Sequence, residues 1–381
     1  MQQNLPSTKQ MISQLIAAPS VSCAHADLDM SNRAVIDLLA GWAESVGFKT
    51  EIQTVNEDKF NLVATTGGGS DGLVLSGHTD TVPCDEALWQ SDPFKLDERA
   101  DRLYGLGSCD MKSFLALALD ASQSFDFKQL KKPLTIVATA DEESTMSGAK
   151  LIADNGRKLG RYCVIGEPTD LTPIRKHKGV LTKSIQFYGQ SGHASDPSLG
   201  NSALEGMHEF MNELLKYRDG IQRQFQDPAF TIPIPTINLG HIHGGDNSNR
   251  ICGACQLLID IRYLPSMSID QLIADIREIA EAVGQRRGLR SECKLLGDGL
   301  PSMDTNEASA IAEYLTYATG KAAGSVAFGT EAPYFNRMQT ETIVIGPGSI
   351  NQAHQPNEFL PMAQVQPSID LLKNLINKFC L

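Results

Sequence analysis

Short apolar runs that read as β-strands alternate along this chain with longer stretches of helical period. That alternation, interrupted once near the middle, constrains the fold more than any other feature. Leu73–Ser76, Leu134–Ala138, Cys163–Ile165 and Thr342–Ile345 are the clearest strand segments. Ser113–Phe125, Met146–Leu159, Asn306–Thr319 and Pro367–Phe379 carry apolar residues at helical spacing. The pattern predicts an open, mostly parallel α/β sheet covered by helices. From about Leu181 the rhythm changes. Ile185 and Phe187 alternate in a strand, and Leu204, Met207, Phe210, Met211, Leu214 and Leu215 share one helix face. Strands at Thr236–Ile242 and Gln256–Tyr263, a helix opened by a Ser268/Gln271 capping box and running to Val283, and a strand at Cys293–Leu296 complete a β-α-β-β-α-β series. That series is a ferredoxin-like α+β unit, whole in itself. A chain of 381 residues exceeds the size at which one core keeps growing. Residues 1–180 and 297–381 are therefore expected to form one domain, with 181–296 inserted as a lid.

Composition narrows the partners. With 45 acidic against 33 basic residues the net charge is -12, which repels a polyanion, so no nucleic-acid partner is expected. The longest apolar runs fall far short of the ~20 residues that span a bilayer, which removes a membrane anchor. Met1 to Ser20 lacks a basic start and a long apolar block, so a cytoplasmic address is expected. Eight cysteines scattered over so long a chain read as reduced thiols rather than a disulfide framework. Cys252 and Cys255 have the spacing of half a zinc knuckle, but no second pair exists and they read as small strand residues. Gly67–Gly72 is a turn that lacks the Gly-Lys-Ser/Thr ending of a phosphate loop. Gly189-Gln190-Ser191-Gly192 is not a nucleophile elbow, which argues against a serine hydrolase.

In open α/β sheets, functional groups gather beyond the carboxyl ends of the strands. Here the first strand runs into His78-Thr79-Asp80, the second into Asp141-Glu142-Glu143, and the third into Glu167. Asp110 lies in a glycine-rich loop just ahead of a helix, and His354 follows the last strand. Each is weak alone; together, two imidazoles and several carboxylates are the ligand set of zinc or another first-row divalent ion. Two cations ~3.5–4 Å apart need a shared anion, and Asp110 is the candidate bridge. Adjacent side chains diverge, so Glu143 is read as a ligand and Glu142 as the general base. Asp80 stands two residues after His78 and is read as the acceptor of that imidazole's second N–H. His25, His177 and His208 have no partner pattern and read as structural, while His241 and His243 share a strand face and read as a lid contact or site wall.

The segments Gly77–Thr81, Gly107–Lys112, Ala140–Glu143 and Gly166–Thr169 resemble the acetylornithine deacetylase and succinyl-diaminopimelate desuccinylase family of metallohydrolases. The resemblance runs nearly the whole chain. It implies two divalent metal ions, zinc or else cobalt, with His78 and Glu167 on one, Glu143 and His354 on the other, and Asp110 on both. It also implies a homodimer joined through the lid, in which His193 of one subunit steadies the oxyanion in the other. Glu331-Ala332 stands where desuccinylases carry Ser-Asp, which favours the deacetylase branch and an N-acetylated amino acid, N2-acetyl-L-ornithine, as substrate. Such a substrate offers an α-carboxylate and a distal ammonium. Arg250 with Asn249 can grip the first, and Glu331 is the candidate partner of the second, against the alternative of a solvated loop carboxylate. Two other readings stay open: the same chemistry on another N-acylated amino acid or a dipeptide, and a binding protein that has lost its metals.

Overall fold

The computed structural model describes residues 5–381, so that Met1 to Asn4, the start of the stretch read for a secretory signal, lie outside it. In chain order the strands that bear on function are β1 (Lys49–Thr54), β2 (Phe60–Thr66), β3 (Leu73–His78), β4 (Leu134–Thr139), β5 (Tyr162–Pro168) and β6 (Ile174–His177). They continue as β7 (Gly179–Tyr188), β8 (Thr236–Gly244), β9 (Ala254–Tyr263), β10 (Arg290–Leu295) and β11 (Glu341–Gly346). The helices are α1 (Thr8–Ile16), α2 (Arg33–Val46), α3 (Lys112–Ser122), α4 (Ser147–Asp154), α5 (Ala203–Gln224), α6 (Ile269–Arg287), α7 (Ala310–Thr319), α8 (Ala332–Arg337) and α9 (Val365–Cys380). Packing divides the chain into two compact units. One runs to Arg175 and resumes at Thr305–Gly324 and Thr330–Leu381; the other is Lys176–Asp304 with Ser325–Gly329.

Among the described residues, seven of the nine strands of the large sheet run in the order β1-β2-β4-β3-β5-β11-β6, and two short strands pair with β6 beyond them. Its centre is parallel, β4 to β3, β3 to β5 and β5 to β11. The flanking pairs, β1 with β2, β2 with β4 and β11 with β6, are antiparallel. Every residue of β3, β4 and β5 is buried, as a sheet covered on both faces requires. The helix α3 lies on one of those faces, and Phe114 to Leu119 are each no more than 2% exposed. A helix apolar all round has to be enclosed, and α1 and α9 pack over it. Each leucine so enclosed contributes about 1.5–3 kcal/mol. Gly166 lets the helix come this close: a Cβ there would meet the Phe114 ring at 2.0 Å. Helix α3 begins directly after Asp110-Met111, so the most deeply anchored helix of the unit fixes the loop in front of it.

The second unit has the element order β7-α5-β8-β9-α6-β10 and the sheet order β8-β9-β7-β10, antiparallel throughout. This is the ferredoxin-like arrangement expected of the β-α-β-β-α-β series. Its core gathers Leu181, Ile185 and Phe187 of β7 with Met207, Phe210 and Leu214 of α5 and Leu272, Ile276 and Val283 of α6. Ser268 accepts a hydrogen bond from the backbone N–H of Gln271 at 3.3 Å and so caps α6, but the Gln271 side chain turns to Asp275 at 2.6 Å, so the expected capping box is only half formed. The two ends of its long segment meet: Val180 and Leu300 exchange backbone hydrogen bonds of 2.9 and 2.8 Å. Cys255 is the second residue of β9 and Cys252 lies in the irregular chain just before it, both buried and reduced, so the second of the two is a strand residue and the first is not.

Candidate metal centre

Strand register brings the site together. His78 pairs with Thr139 at the ends of β3 and β4, so that the turn Asp141-Glu142-Glu143 begins level with the imidazole. On the other side of β3, strand β5 carries Glu167. Asp110 arrives from the loop ahead of α3, and His354 from the loop after β11. The Asp110 loop turns through Gly107 at φ +80°, where a Cβ would press Thr81 Cγ2 at 3.0 Å.

The two histidines sit on opposite sides of Asp110. His78 Nε2 is 3.1 Å from Asp110 Oδ1 and 3.9 Å from Glu167 Oε1. His354 Nε2 is 3.7 Å from Asp110 Oδ2 and 2.9 Å from Glu143 Oε2. One carboxylate thus offers an oxygen to each imidazole. Two sets of ligand atoms within 4.8 Å of one another result, His78/Asp110/Glu167 and Asp110/Glu143/His354, sharing Asp110. His78, Glu142 and Glu143 form a third such group.

The charge balance of this cluster is what two cations would complete. Burial pushes Glu142 well above the ordinary carboxylate range, and the neighbouring Glu167 pushes it further. Glu167 is driven up by burial and by Asp110, and Glu143 by the same two causes. Burial also works against a charged Asp110, but His78 and His354 hold it below its usual value. Glu167 Oε1 is buried without a hydrogen-bond partner. A buried charge or acceptor left unpaired is costly, and divalent ions of the kind that imidazole and carboxylate bind would relieve every one of these groups at once.

Two residues behave differently from their sequence reading, and a third has none. Asp80 does not take the second N–H of His78 on its carboxylate. His78 Nδ1 meets the backbone carbonyl oxygen of Asp80 at 2.9 Å, and the nearer carboxylate oxygen is 3.7 Å away. The Asp80 carboxylate instead accepts the backbone N–H groups of Glu142 at 3.2 Å and Glu143 at 3.0 Å, pinning the turn that carries both. Glu331 is not a solvated loop residue: it is 0% exposed at the start of α8, with Thr139 near it but no well-formed hydrogen bond to either carboxylate oxygen. Burial pushes it up to about 7, against the pull of Thr139 and His78. So enclosed, it is not the solvated loop carboxylate of the alternative reading. The third is Glu358, which sequence reasoning passed over. Its buried carboxylate accepts backbone N–H bonds from Gly107 at 3.1 Å, Cys109 at 2.7 Å and Asp110 at 2.9 Å. Burial and the charge of Asp110 push it up to about 8, and the three donors pull it back.

Asp141, named in the sequence only as the start of its acidic stretch, braces the turn that carries Glu142 and Glu143. It sits at φ +59° and accepts hydrogen bonds from Ser22 and Ser147. Lys59, almost fully buried, pairs with it at 3.1 Å and with Asp29 at 2.7 Å.

In the second unit His193 and Arg250 face each other in an isolated antiparallel bridge, and Asn249 accepts the backbone N–H of Ala194 at 2.9 Å. All three are exposed. His193 Nδ1 lies 2.7 Å from Ser195 Oγ, and Arg250 pairs with Asp246. An open cavity of about 760 Å³ lies beside Arg250 between Gly200–Glu205 and Gly244–Cys252. His25, His208, His241 and His243 are exposed and belong to none of the metal-competent groups among the described residues. His177 is fully buried, with Nδ1 2.9 Å from the Lys178 carbonyl oxygen, and burial pushes it down to about 4.

Residues 74–378 match the profile of peptidase family M20/M25/M40. The acetylornithine deacetylase of Proteus mirabilis is 46% identical over 99% of this chain and 98% of its own length. That of Yersinia pseudotuberculosis is 45% identical over 100% and 99%, and that of Klebsiella pneumoniae 44% over the whole of both. Among solved structures, the aminopeptidase PepT of Bacillus cereus superposes with a TM-score of 0.77 at 17% identity, covering 99% of each chain. A dinuclear metal-binding M20 peptidase of Bacillus subtilis does so with 0.69 at 15%, covering 98% of this chain and 97% of its own.

Proposed function

The chain belongs to peptidase family M20/M25/M40, and from that membership we propose that it hydrolyses N2-acetyl-L-ornithine to L-ornithine and acetate, a step of arginine biosynthesis. The substrate is the one in the names of relatives that match it end to end. The observation that carries the chemistry is Asp110, whose two oxygens face His78 and His354 from opposite sides. His78 and Glu167 would hold one divalent ion, Glu143 and His354 the other, and Asp110 both. Zinc suits this donor set first, with cobalt as the alternative. When bound, such a pair polarises an amide carbonyl and acidifies water for attack at neutral pH.

The remaining work falls to side chains of this protein. Glu142, buried and pushed towards a high proton affinity, takes the proton of the attacking water and delivers it to the departing amine. Asp80 holds Glu142 and Glu143 at their posts through their backbone N–H groups. Arg250 presents a planar pair of donors to the substrate's α-carboxylate, with Asn249 beside it. His193 donates to the oxyanion of a neighbouring subunit in a cytoplasmic homodimer joined through the second unit. Glu331, enclosed, is expected to act on the centre rather than directly on the substrate's ammonium.

The test joins metal content to turnover. The purified protein should carry two metal ions per chain and turn over N2-acetyl-L-ornithine faster than N-acetylmethionine or a dipeptide; preference for either of the latter would move the substrate within the family. Glu142→Gln should cut turnover by about 10²–10⁴-fold with both ions retained. Loss of an ion in that variant would put Glu142 among the ligands, and a wild-type protein that binds no metal would refute the reading outright.

A further inference from the structure

Glu358 has no part in the chemistry just described, yet it is among the most heavily hydrogen-bonded carboxylates of the first unit. One oxygen accepts from Cys109 at 2.7 Å and Asp110 at 2.9 Å, and the other accepts from Gly107 at 3.1 Å. Its own carbonyl oxygen accepts from Gly105 at 3.1 Å. At 1% exposure nothing in solvent can replace those contacts. A second observation concerns where Glu358 comes from. It stands four residues after His354, in a segment tied down by Asn357, whose side chain accepts the Gln90 N–H at 2.8 Å. Both His354 and Asn357 adopt left-handed backbone, at φ +59° and +62°. The same two stretches also meet at Gly348, where a Cβ would stand 2.3 Å from Cys109 Sγ.

We propose that Glu358 is a positioning residue for the metal centre, locking the backbone of the Asp110 loop to the His354 loop so that the shared carboxylate and the second histidine keep a fixed relation. The physical case is one of donors without alternatives. Three of the four N–H groups from Gly107 to Asp110 converge on one carboxylate, while that of Ser108 goes to the Gly105 carbonyl oxygen, so the course of this glycine-rich loop between its anchors depends on that carboxylate. Because Asp110 faces both histidines, a displacement of its backbone is felt on both sides. A residue that only filled space would have no reason to be acidic in an already crowded acidic site.

This inference rests on the proposed dinuclear centre, and the experiment separates the two. Metal-free wild-type protein is titrated calorimetrically with zinc alongside Glu358→Gln and Glu358→Asp, and the melting of each metal-free protein is recorded. Glutamine keeps the shape but turns an N–H₂ donor towards at least one loop N–H; aspartate keeps the charge with a shorter reach. The expected result is that Glu358→Gln binds both zinc ions on the order of 10–100-fold more weakly, while its metal-free form still melts cooperatively. Its kcat falls with KM little changed, and Glu358→Asp recovers part of the affinity. Unchanged zinc affinity in a folded Glu358→Gln protein overturns the proposal, as does weakening confined to one ion. Should Glu358→Gln fail to fold, an affinity for Glu358→Asp equal to that of wild type overturns it equally. Fewer than two zinc ions on the wild-type protein would instead refute the dinuclear reading itself.

Discussion

A buried carboxylate with no partner must either meet a cation or give up its charge. Glu331 is in that position beside His78 and Asp80. Its influence should therefore reach the substrate only through the centre, and substrates with and without a positive tail should suffer alike. Glu331→Gln is expected to lower kcat/KM by about ten-fold for both N2-acetyl-L-ornithine and neutral N-acetylmethionine. A loss specific to acetylornithine, measured side by side, would return Glu331 to the substrate's ammonium. The contrast with the ligands shows what sequence makes visible at this scale. His78 and Glu167 could be read because each ends an apolar strand, and strand ends are local. Glu358 could not, because its donors lie 248 to 251 residues away and nothing in its own neighbourhood records them. Asp80 was read for the right neighbourhood and the wrong partner: its carboxylate is drawn to two backbone donors 62 and 63 residues distant rather than to the ring two residues before it.

Among the elements, the alternation of strand and helix was legible wherever one face differed from the other. Where it did not, boundaries slipped. Helix α3 spans Lys112–Ser122 rather than Ser113–Phe125, because a helix buried on all sides has no polar face to show where its period stops. Helix α7 starts at Ala310 rather than Asn306, since Ser309 caps it by accepting the Ala312 N–H at 3.3 Å. The strand β6 ends in His177, which illustrates a consequence of burial for acid stability. With the folded form pushed down to about 4 and an unfolded value near ~6.5, the folded protein binds this proton less readily than the unfolded chain. The neutral imidazole thus favours folding above pH ~6.5, and that contribution, on the order of 3 kcal/mol at most, is lost as pH falls through about 4. His177→Asn keeps a donor near Nδ1 but cannot titrate. Melting of metal-free protein between pH 7 and 4 should fall less steeply in that variant than in wild type; parallel curves would show that His177 contributes nothing to acid sensitivity.

For the whole molecule, the question is whether one chain suffices. If His193 serves a neighbour's site, His193→Ala should lose about 10²–10³-fold in kcat while keeping its metal. Mixing it with Glu142→Gln under conditions of proven subunit exchange should then restore activity. Half of a random mixture is heterodimer, and each heterodimer has one site with an intact Glu142 of its own and an intact His193 from its partner. Recovery should approach about one quarter of wild-type turnover per site; none, despite exchange, would confine His193 to its own chain. The rhythm change near Leu181 was visible in sequence because a complete β-α-β-β-α-β series announces itself. The closing contact was not, since Val180 and Leu300 lie far apart in the chain and their mutual backbone hydrogen bonds leave no mark in side-chain pattern. That clasp has an evolutionary side. Drawing together the ends of a long interruption carries an entropic cost that grows with its length, but here the inserted stretch closes itself. The host chain therefore meets a short bridge however long the guest becomes. Loops beyond the clasp are free to lengthen, shorten or diverge from one lineage to the next without the host sheet having to adjust.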